Sequence, residues 1–374
     1  MALYLLVTAV VLVLARFVVP KEKITAYDVN KKQIISRVCL AAIFTVLFLL
    51  SALRIEVGND YKNYAITCHE IWVNGITVTE PGFNLLVKAV YTLFGGECYI
   101  AVFAVFAFVT TAIFLDVFYK ESDSFSVSVF LFMTLGIYFR TFNTVRYYFV
   151  LALALYSLKF VARKKYTAFI VTILLASLFH KSVLVVIPLY LLASVIHKKW
   201  HYCLMAAASV CLYLGKNAVI WLALKLYPSY RNTEFISQTA GFSDILPGII
   251  QCVLVWLFCC LAGKKTDSDN RKYRICFNLN VMALLLMVFG NYLPLLSRFT
   301  YYLMIPQLLL IPMVLHQMGN GRKQQIVWGT LSLICAVYFV FFLKSASAPG
   351  IRVLPYKTWV MEGVQEYIYA NEVT

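Results

Sequence analysis

Residues 98–118 read CYIAVFAVFAFVTTAIFLDVF, with one charge, Asp116. A helix of that length rises about 30 Å, the thickness of a bilayer's hydrocarbon core, so the stretch predicts a membrane-spanning helix. Comparable runs recur along the whole chain, near 2–19, 34–53, 125–139, 142–161, 166–180, 182–196, 202–222, 245–262, 275–292, 299–316 and 326–343. The fold class is therefore all-α, a polytopic integral membrane helical bundle of about 12 transmembrane helices. One further apolar stretch, 82–95, contains Lys88 and ends in Gly95-Gly96, and is expected to be a re-entrant or interfacial helix. Composition agrees: the 374 residues are 62% hydrophobic and only 13% charged, whereas a soluble domain carries about 25% charged residues. No stretch between the spans is long enough for a separate soluble domain, so residues 1–374 are expected to form a single transmembrane domain. The start of the chain, 1–19, lacks a basic segment before its apolar run and an A-x-A cleavage signal, and is expected to be a retained spanning helix.

The net charge is +16. In a soluble protein that excess would suggest nucleic acid, but here most basic residues sit in short loops, where they set orientation. The loop 20–37 holds Lys21, Lys23, Lys31, Lys32 and Arg37; the turn 162–165 holds Arg163, Lys164 and Lys165; His197-Lys198-Lys199 follows. Loop 263–274 holds Lys264, Lys265, Arg271, Lys272 and Arg274, and loop 317–325 adds Arg322 and Lys323. With the spans above, all five fall on one side, which is expected to be the cytoplasm. Both termini, the loops 54–97, 223–244 and 292–298, and the tail 344–374 are then extracytoplasmic. No nucleic-acid partner is expected. Most of the ten cysteines lie inside apolar runs as small hydrophobes, and none has metal-ligand spacing. Cys68 and Cys98 both fall on the outer side, where a disulfide can form.

Some cations oppose this bias. Arg54 closes the second span within Arg54-Ile55-Glu56-Val57-Gly58-Asn59-Asp60-Tyr61-Lys62-Asn63-Tyr64. Arg140 and Arg146 flank a tight outer turn, and Arg146 lies about a turn below the surface, where a charge costs roughly 2.5–3.5 kcal/mol. Arg298 starts a late span, between Asn291-Tyr292-Leu293-Pro294 and Phe299-Thr300-Tyr301-Tyr302. Each could snorkel to headgroups. Four arginines on the outer side also match a phosphate-headed lipid, because a guanidinium grips phosphate bidentately and keeps its charge when desolvated. His180-Lys181-Ser182 interrupts the apolar stretch 166–196, either as a polar hairpin tip or as a broken helix lining a polar site. Asp60 and Glu80 are the outer carboxylates best suited to a general base, with Glu56, Glu70, Glu97, Glu234 and Asp244 also open. Asp267-Ser268-Asp269 has the form of a metal-binding Asp-x-Asp, but its lysine-rich cytoplasmic loop fits a solvated turn better. No metal site is expected.

The ordered set Leu53-Arg54-x-x-Val57-Gly58-x-Asp60-Tyr61-x-x-Tyr64, Glu80-Pro81-Gly82-Phe83, Arg146-Tyr147, His180-Lys181-Ser182, Arg298-Phe299-x-x-Tyr302 and Leu354-Pro355-Tyr356 resembles the EpsG family. That family is related to the Wzy-type polymerases of exopolysaccharide, capsule and O-antigen pathways. The resemblance implies a GT-C-like, metal-independent glycosyltransferase of the bacterial plasma (inner) membrane that needs no cofactor. Its substrates would be undecaprenyl-pyrophosphate-linked oligosaccharides, joined on the outer face among membrane lipids. A flippase and a chain-length regulator would be its partners in polysaccharide assembly. Carried over residue by residue, it implies catalytic roles for Arg54, Arg146 and Arg298, with Asp60 as base and His180 as the alternative. Arg140, Tyr61, Tyr64, Glu80, Lys181 and Tyr302 would bind substrate. The late outer loops are short compared with the large loop of many Wzy-type enzymes. A transporter of lipid-linked sugars predicts basic residues along the whole depth of a pathway, whereas here they gather near one face. An O-antigen-type ligase would use the same donor. An acyltransferase would want an acidic partner beside His180, and the sequence offers none adjacent.

Overall fold

The computed structural model describes residues 1–19, 31–196, 198–226, 241–262, 270–290, 292, 296–319 and 321–362. Asp267-Ser268-Asp269, Glu234, Asn291, Pro294, and parts of the expected loops 20–37, 223–244 and 263–274 and of the tail lie outside them. In chain order the helices are α1 (Ala2–Ala15), α2 (Lys31–Ala52), α3 (Tyr61–Asn74), α4 (Pro81–Phe94), α5 (Tyr99–Glu121), α6 (Phe125–Thr134), α7 (Ile137–Arg140), α8 (Val145–Ala162) and α9 (Tyr166–Ser177). A 3₁₀ turn, Lys181–Val185, leads into α10 (Val186–Val195), then α11 (Lys199–Leu214), α12 (Lys216–Leu226), α13 (Phe242–Ala262), α14 (Arg271–Phe289), α15 (Leu296–Met304), α16 (Gln307–Gln317), α17 (Arg322–Ser345) and α18 (Trp359–Glu362).

The protein is a polytopic all-α membrane protein. Among the described residues seven helices are long and apolar enough to cross a bilayer, and five shorter apolar helices accompany them. The seven coincide with seven of the expected spans; the other five expected spans form shorter apolar helices, with 125–139 broken at Gly136 and 202–222 at Gly215. Where a span is broken, local chemistry explains it. Pro306 cannot donate a helical hydrogen bond, so α15 stops at Met304 and α16 starts after the proline, at Gln307. The stretch 98–118 becomes α5, whose buried residues Tyr99, Val102, Phe103, Phe106, Thr110 and Phe114 recur every three or four positions.

Residues 54–97 are not a plain loop. The expected helix at 82–95 forms as α4, with Pro81 in its first turn, where a missing N–H is harmless, and left-handed Gly95 at its end. A second helix, α3, precedes it. Its buried face, Tyr61, Tyr64, Ala65, Cys68 and Ile71, meets Phe83, Val87 and Tyr91 of α4 and Val102, Phe103 and Phe106 of α5. Fully burying side chains of this kind contributes about 1.5–3 kcal/mol each, which fixes the connection as a platform. Cys68 and Cys98 are free thiols, and burial pushes the Cys68 thiol up to about 12.

Contacts divide the described residues into two compact units. The first comprises 1–156, 174–181 and 319 onward, and holds α1 to α7, most of α8, α17 and α18. The second comprises 157–173 and 182–318. It is tied by buried amides: Asn278 donates to the carbonyls of Ala193 and Ile196 at 2.8 and 2.9 Å, closing the end of α10. Gln307 donates to Asn280 at 2.7 Å and accepts from Gln251 at 2.7 Å. Side-chain amides bonded in this way are a common adhesive between membrane helices.

Candidate functional site

In the first unit, the chain leaves α2 through Arg54 and is strapped by its own late segment. Arg54 and Thr358 form an isolated antiparallel bridge. Ile55 N donates to Lys357 O at 3.0 Å, Trp359 N to Leu53 O at 3.2 Å, and Gly58 N to Arg352 O at 2.8 Å. The Tyr356 hydroxyl donates to Leu50 O at 3.0 Å, and Lys357 pairs with Glu56 at 3.0 Å. The expected Leu354-Pro355-Tyr356 signature therefore belongs to the same site as Arg54. Gly58 explains itself: its φ is +107°, and a Cβ there would stand 2.3 Å from the carbonyl oxygen of Phe142. Only glycine lets the 54–60 loop lie on the turn before α8. The Asn59 amide also donates to the Asn143 side chain.

Arg54 itself is 1% exposed. Its Nη1 donates to the carbonyl and, at 2.9 Å, to the hydroxyl of Ser51. The guanidinium lies 5.2 Å from the Phe103 ring and 5.1 Å from the Phe142 ring. Nε and Nη2 are buried with no hydrogen-bond partner, and no carboxylate pairs with Arg54 among the described residues. Burial pushes the guanidinium below its ordinary value, which expresses the cost of isolating a charge that arginine does not give up. Beside it is a cavity with room for about one water, lined by Ser51, Thr110, Thr111, Thr141, Phe106 and Val145.

Arg146, in the first turn of α8, stands against the same aromatic cluster. It is 4.7 Å from the Phe83 ring and 5.4 Å from the Tyr64 ring. Its Nη1 donates to Glu80 Oε2 at 2.6 Å, with side-chain exposures of 17% and 14%, and its Nε is buried without a hydrogen-bond partner. Glu80 Oε1 accepts the backbone N–H of Lys181 at 3.1 Å. Gly82 N donates to Leu178 O at 2.8 Å, and a Cβ at Gly82 would meet that oxygen at 2.7 Å. Glycine thus lets the start of α4 reach the end of α9 and brings the His180-Lys181 turn to Glu80. His180 packs edge-on to Tyr147 at 5.8 Å, and the Lys181 residue is exposed.

The other expected site residues distribute as follows. Asp60 is half-buried at the N-terminus of α3. Tyr61 and Tyr64 are buried: Tyr61 stacks on Phe103 at 4.5 Å, and its hydroxyl donates to Arg54 O at 3.4 Å. Burial pushes the Tyr64 phenol up, with Arg146 opposing. Arg140 turns to α17, donating to the Tyr338 hydroxyl at 3.1 Å and lying 5.5 Å from the Phe342 ring. Arg298 and Tyr302 belong to the second unit. There the Tyr302 hydroxyl shares a hydrogen bond with Ser182 at 2.9 Å, and its carbonyl accepts from Tyr190 at 2.9 Å. Sequence reasoning does not find Ser51, Phe103 and Phe142 around Arg54, because each comes from an apolar run with nothing local to mark it. Among the described residues, no three His, Cys, Asp or Glu side chains gather as metal ligands do.

The model of the EpsG family matches residues 37–358, most of the chain. Its span takes in the Arg54 loop, α3 and α4, Arg146, the His180 turn, Arg298 and the strap through Thr358. Among curated proteins and among solved structures, nothing matches.

Proposed function

The chain belongs to the EpsG family, and from that membership we propose that it is a polysaccharide polymerase. It joins undecaprenyl-pyrophosphate-linked oligosaccharide repeat units on the outer face of the bacterial plasma membrane. The observation that carries this is Arg54: a fully buried guanidinium with two nitrogens lacking a hydrogen-bond partner and, among the described residues, no paired carboxylate. An isolated buried charge is expensive unless an anion completes it. A lipid pyrophosphate supplies such an anion at the membrane surface.

In the proposed reaction a hydroxyl of the acceptor repeat attacks the anomeric carbon of the donor glycan. The new glycosidic bond forms as the bond to pyrophosphate breaks, and its electron pair leaves with undecaprenyl pyrophosphate. The hydroxyl proton passes to Asp60, or to His180 as the alternative. Negative charge builds on the leaving pyrophosphate, and fixed guanidiniums at Arg54 and Arg146 stabilise it, as preorganised donors do at a developing anion. No metal ion is required for that role. Tyr61 and Tyr64 are committed to packing, so they serve substrate by supporting Arg54 and Arg146. Lys181 adds an exposed cation for the phosphate, and Arg140 ranks second among the arginines.

The deciding experiment is elongation by the purified protein in proteoliposomes supplied with lipid-linked single repeats. A ladder of longer lipid-linked glycans is expected. Movement of single repeats between leaflets without elongation would instead establish a transporter, and transfer only to a non-repeat acceptor would establish a ligase.

A further inference from the structure

Glu80 sits just before α4 in extended backbone, φ −65° and ψ 145°, yet its side chain does not cap that helix. It reaches two other segments. Oε2 takes Arg146 Nη1 at 2.6 Å and Oε1 takes the Lys181 N–H at 3.1 Å. Both oxygens are therefore engaged by positively polarised donors, one charged and one a backbone amide. That is how a phosphate is held: two anionic oxygens shared between a guanidinium and a main-chain N–H. Arg146 stands against Phe83 and keeps a buried Nε without a partner, so its guanidinium is oriented but not saturated.

We infer that Glu80 is a placeholder for the phosphate ligand. It orients Arg146 and the 180–181 turn before the donor binds, and it yields Arg146 to a pyrophosphate oxygen when the donor arrives. This rests on the proposed function, in which Arg146 contacts the pyrophosphate. The step is an exchange of ion-pair partners, in which no proton moves and no covalent bond changes. Glu80 is then a positioning residue rather than the general base, and it competes with the substrate for the same guanidinium.

Competition has an unusual consequence: removing the charge of Glu80 should tighten ligand binding. Glu80→Gln keeps an oxygen for the Lys181 N–H and leaves the backbone alone, but releases Arg146. The test is binding of farnesyl pyrophosphate to the full-length protein in nanodiscs, with inorganic pyrophosphate in parallel to separate headgroup recognition from lipid recognition. Glu80→Gln is expected to bind farnesyl pyrophosphate about tenfold more tightly, the scale of one partly buried charge-assisted contact. Arg146→Gln is expected to bind at least tenfold more weakly by the same scale. Glu80→Asp, whose carboxylate is drawn back from Arg146, should tighten binding by a smaller factor, and it decides the matter if Glu80→Gln does not fold. Unchanged or weaker binding in the folded Glu80 variants, with Arg146→Gln weakened, overturns the placeholder alone. Wild-type affinity in Arg146→Gln overturns the role of Arg146 on which it rests.

Discussion

Replacing Arg54 by methionine and by lysine separates two roles that a buried arginine can have. Methionine has similar length and no charge. It loses the Ser51 hydrogen bonds, about 1.5–3 kcal/mol for a charged donor. It also loses the attraction to Phe103 and Phe142, up to about 2 kcal/mol for each ring. Against this, it removes the desolvation of a guanidinium with two bare nitrogens, which is worth several kcal/mol. These terms nearly cancel, so Arg54→Met should unfold in detergent within about 2 kcal/mol of wild type. Its elongation activity should vanish. Lysine retains the charge but offers no planar fork, so Nε and Nη2 have no counterparts. If those nitrogens meet the leaving pyrophosphate, Arg54→Lys should lose about 2.7–4 kcal/mol of transition-state stabilisation, a 10²–10³-fold fall in kcat. The assay is single-turnover elongation of lipid-linked repeats at equal amounts of folded protein. Cells carrying either variant should accumulate single lipid-linked repeats. Wild-type chain lengths from Arg54→Lys, or an Arg54→Met protein destabilised by far more than the expected margin, would show that Arg54 is a structural keystone.

Three further outcomes are expected. Gly58→Ala should abolish assembly of the 54–60 loop against Phe142, costing at least the roughly 1–3 kcal/mol of a strained left-handed residue; thermal unfolding will read it, and an unshifted melting curve would refute the close approach. Elongation should persist in excess EDTA, since the proposed chemistry uses guanidiniums; loss of activity on chelation, restored by Mg²⁺ or Mn²⁺, would require a metal. On a cysteine-free background, cysteines replacing Asn63 and Asn232 should react with an impermeant thiol reagent in intact spheroplasts while one replacing Ser268 should not; labelling of the Ser268 position would reverse the orientation and remove the site from the outer face.

The spans were legible because their signal is local. Twenty apolar residues announce a bilayer crossing wherever they fall, and the end of α4 is written in Gly95; the break at Pro306, inside the expected span 299–316, was not read. α3 was missed: its buried face, Tyr61, Tyr64, Ala65, Cys68 and Ile71, has helical spacing, but the polar residues between them made the segment read as loop. The site was legible only in part. Arg54, Arg146, Glu80 and the late Leu354-Pro355-Tyr356 stand out as residue types, yet what joins them is long-range. The strap reaches from 352–359 back to 50–58 through backbone hydrogen bonds that leave no periodicity. Ser51, Phe103 and Phe142 acquire meaning only once Arg54 is folded against them.

The two arginines of the first unit differ in a way that bears on catalysis. Arg54 is held by neutral groups, a hydroxyl, a carbonyl and two rings, so its charge is not cancelled before substrate arrives. Arg146 is already neutralised by Glu80. A group contributes to rate only through what it gains between ground and transition state. A fixed, uncancelled charge gains as the leaving pyrophosphate becomes more negative, because it has no reorganisation to undergo. A paired one must first give up its carboxylate, and that exchange happens when substrate binds. On the proposed function, Arg54 therefore acts mainly on turnover and Arg146 mainly on capture of the donor. Substitution of Arg54 should fall on kcat and substitution of Arg146 largely on KM. The same logic explains why Arg54 is fully buried against two aromatic rings while Arg146 is partly exposed and paired with a carboxylate: the first has to be fixed, and the second has to change partners.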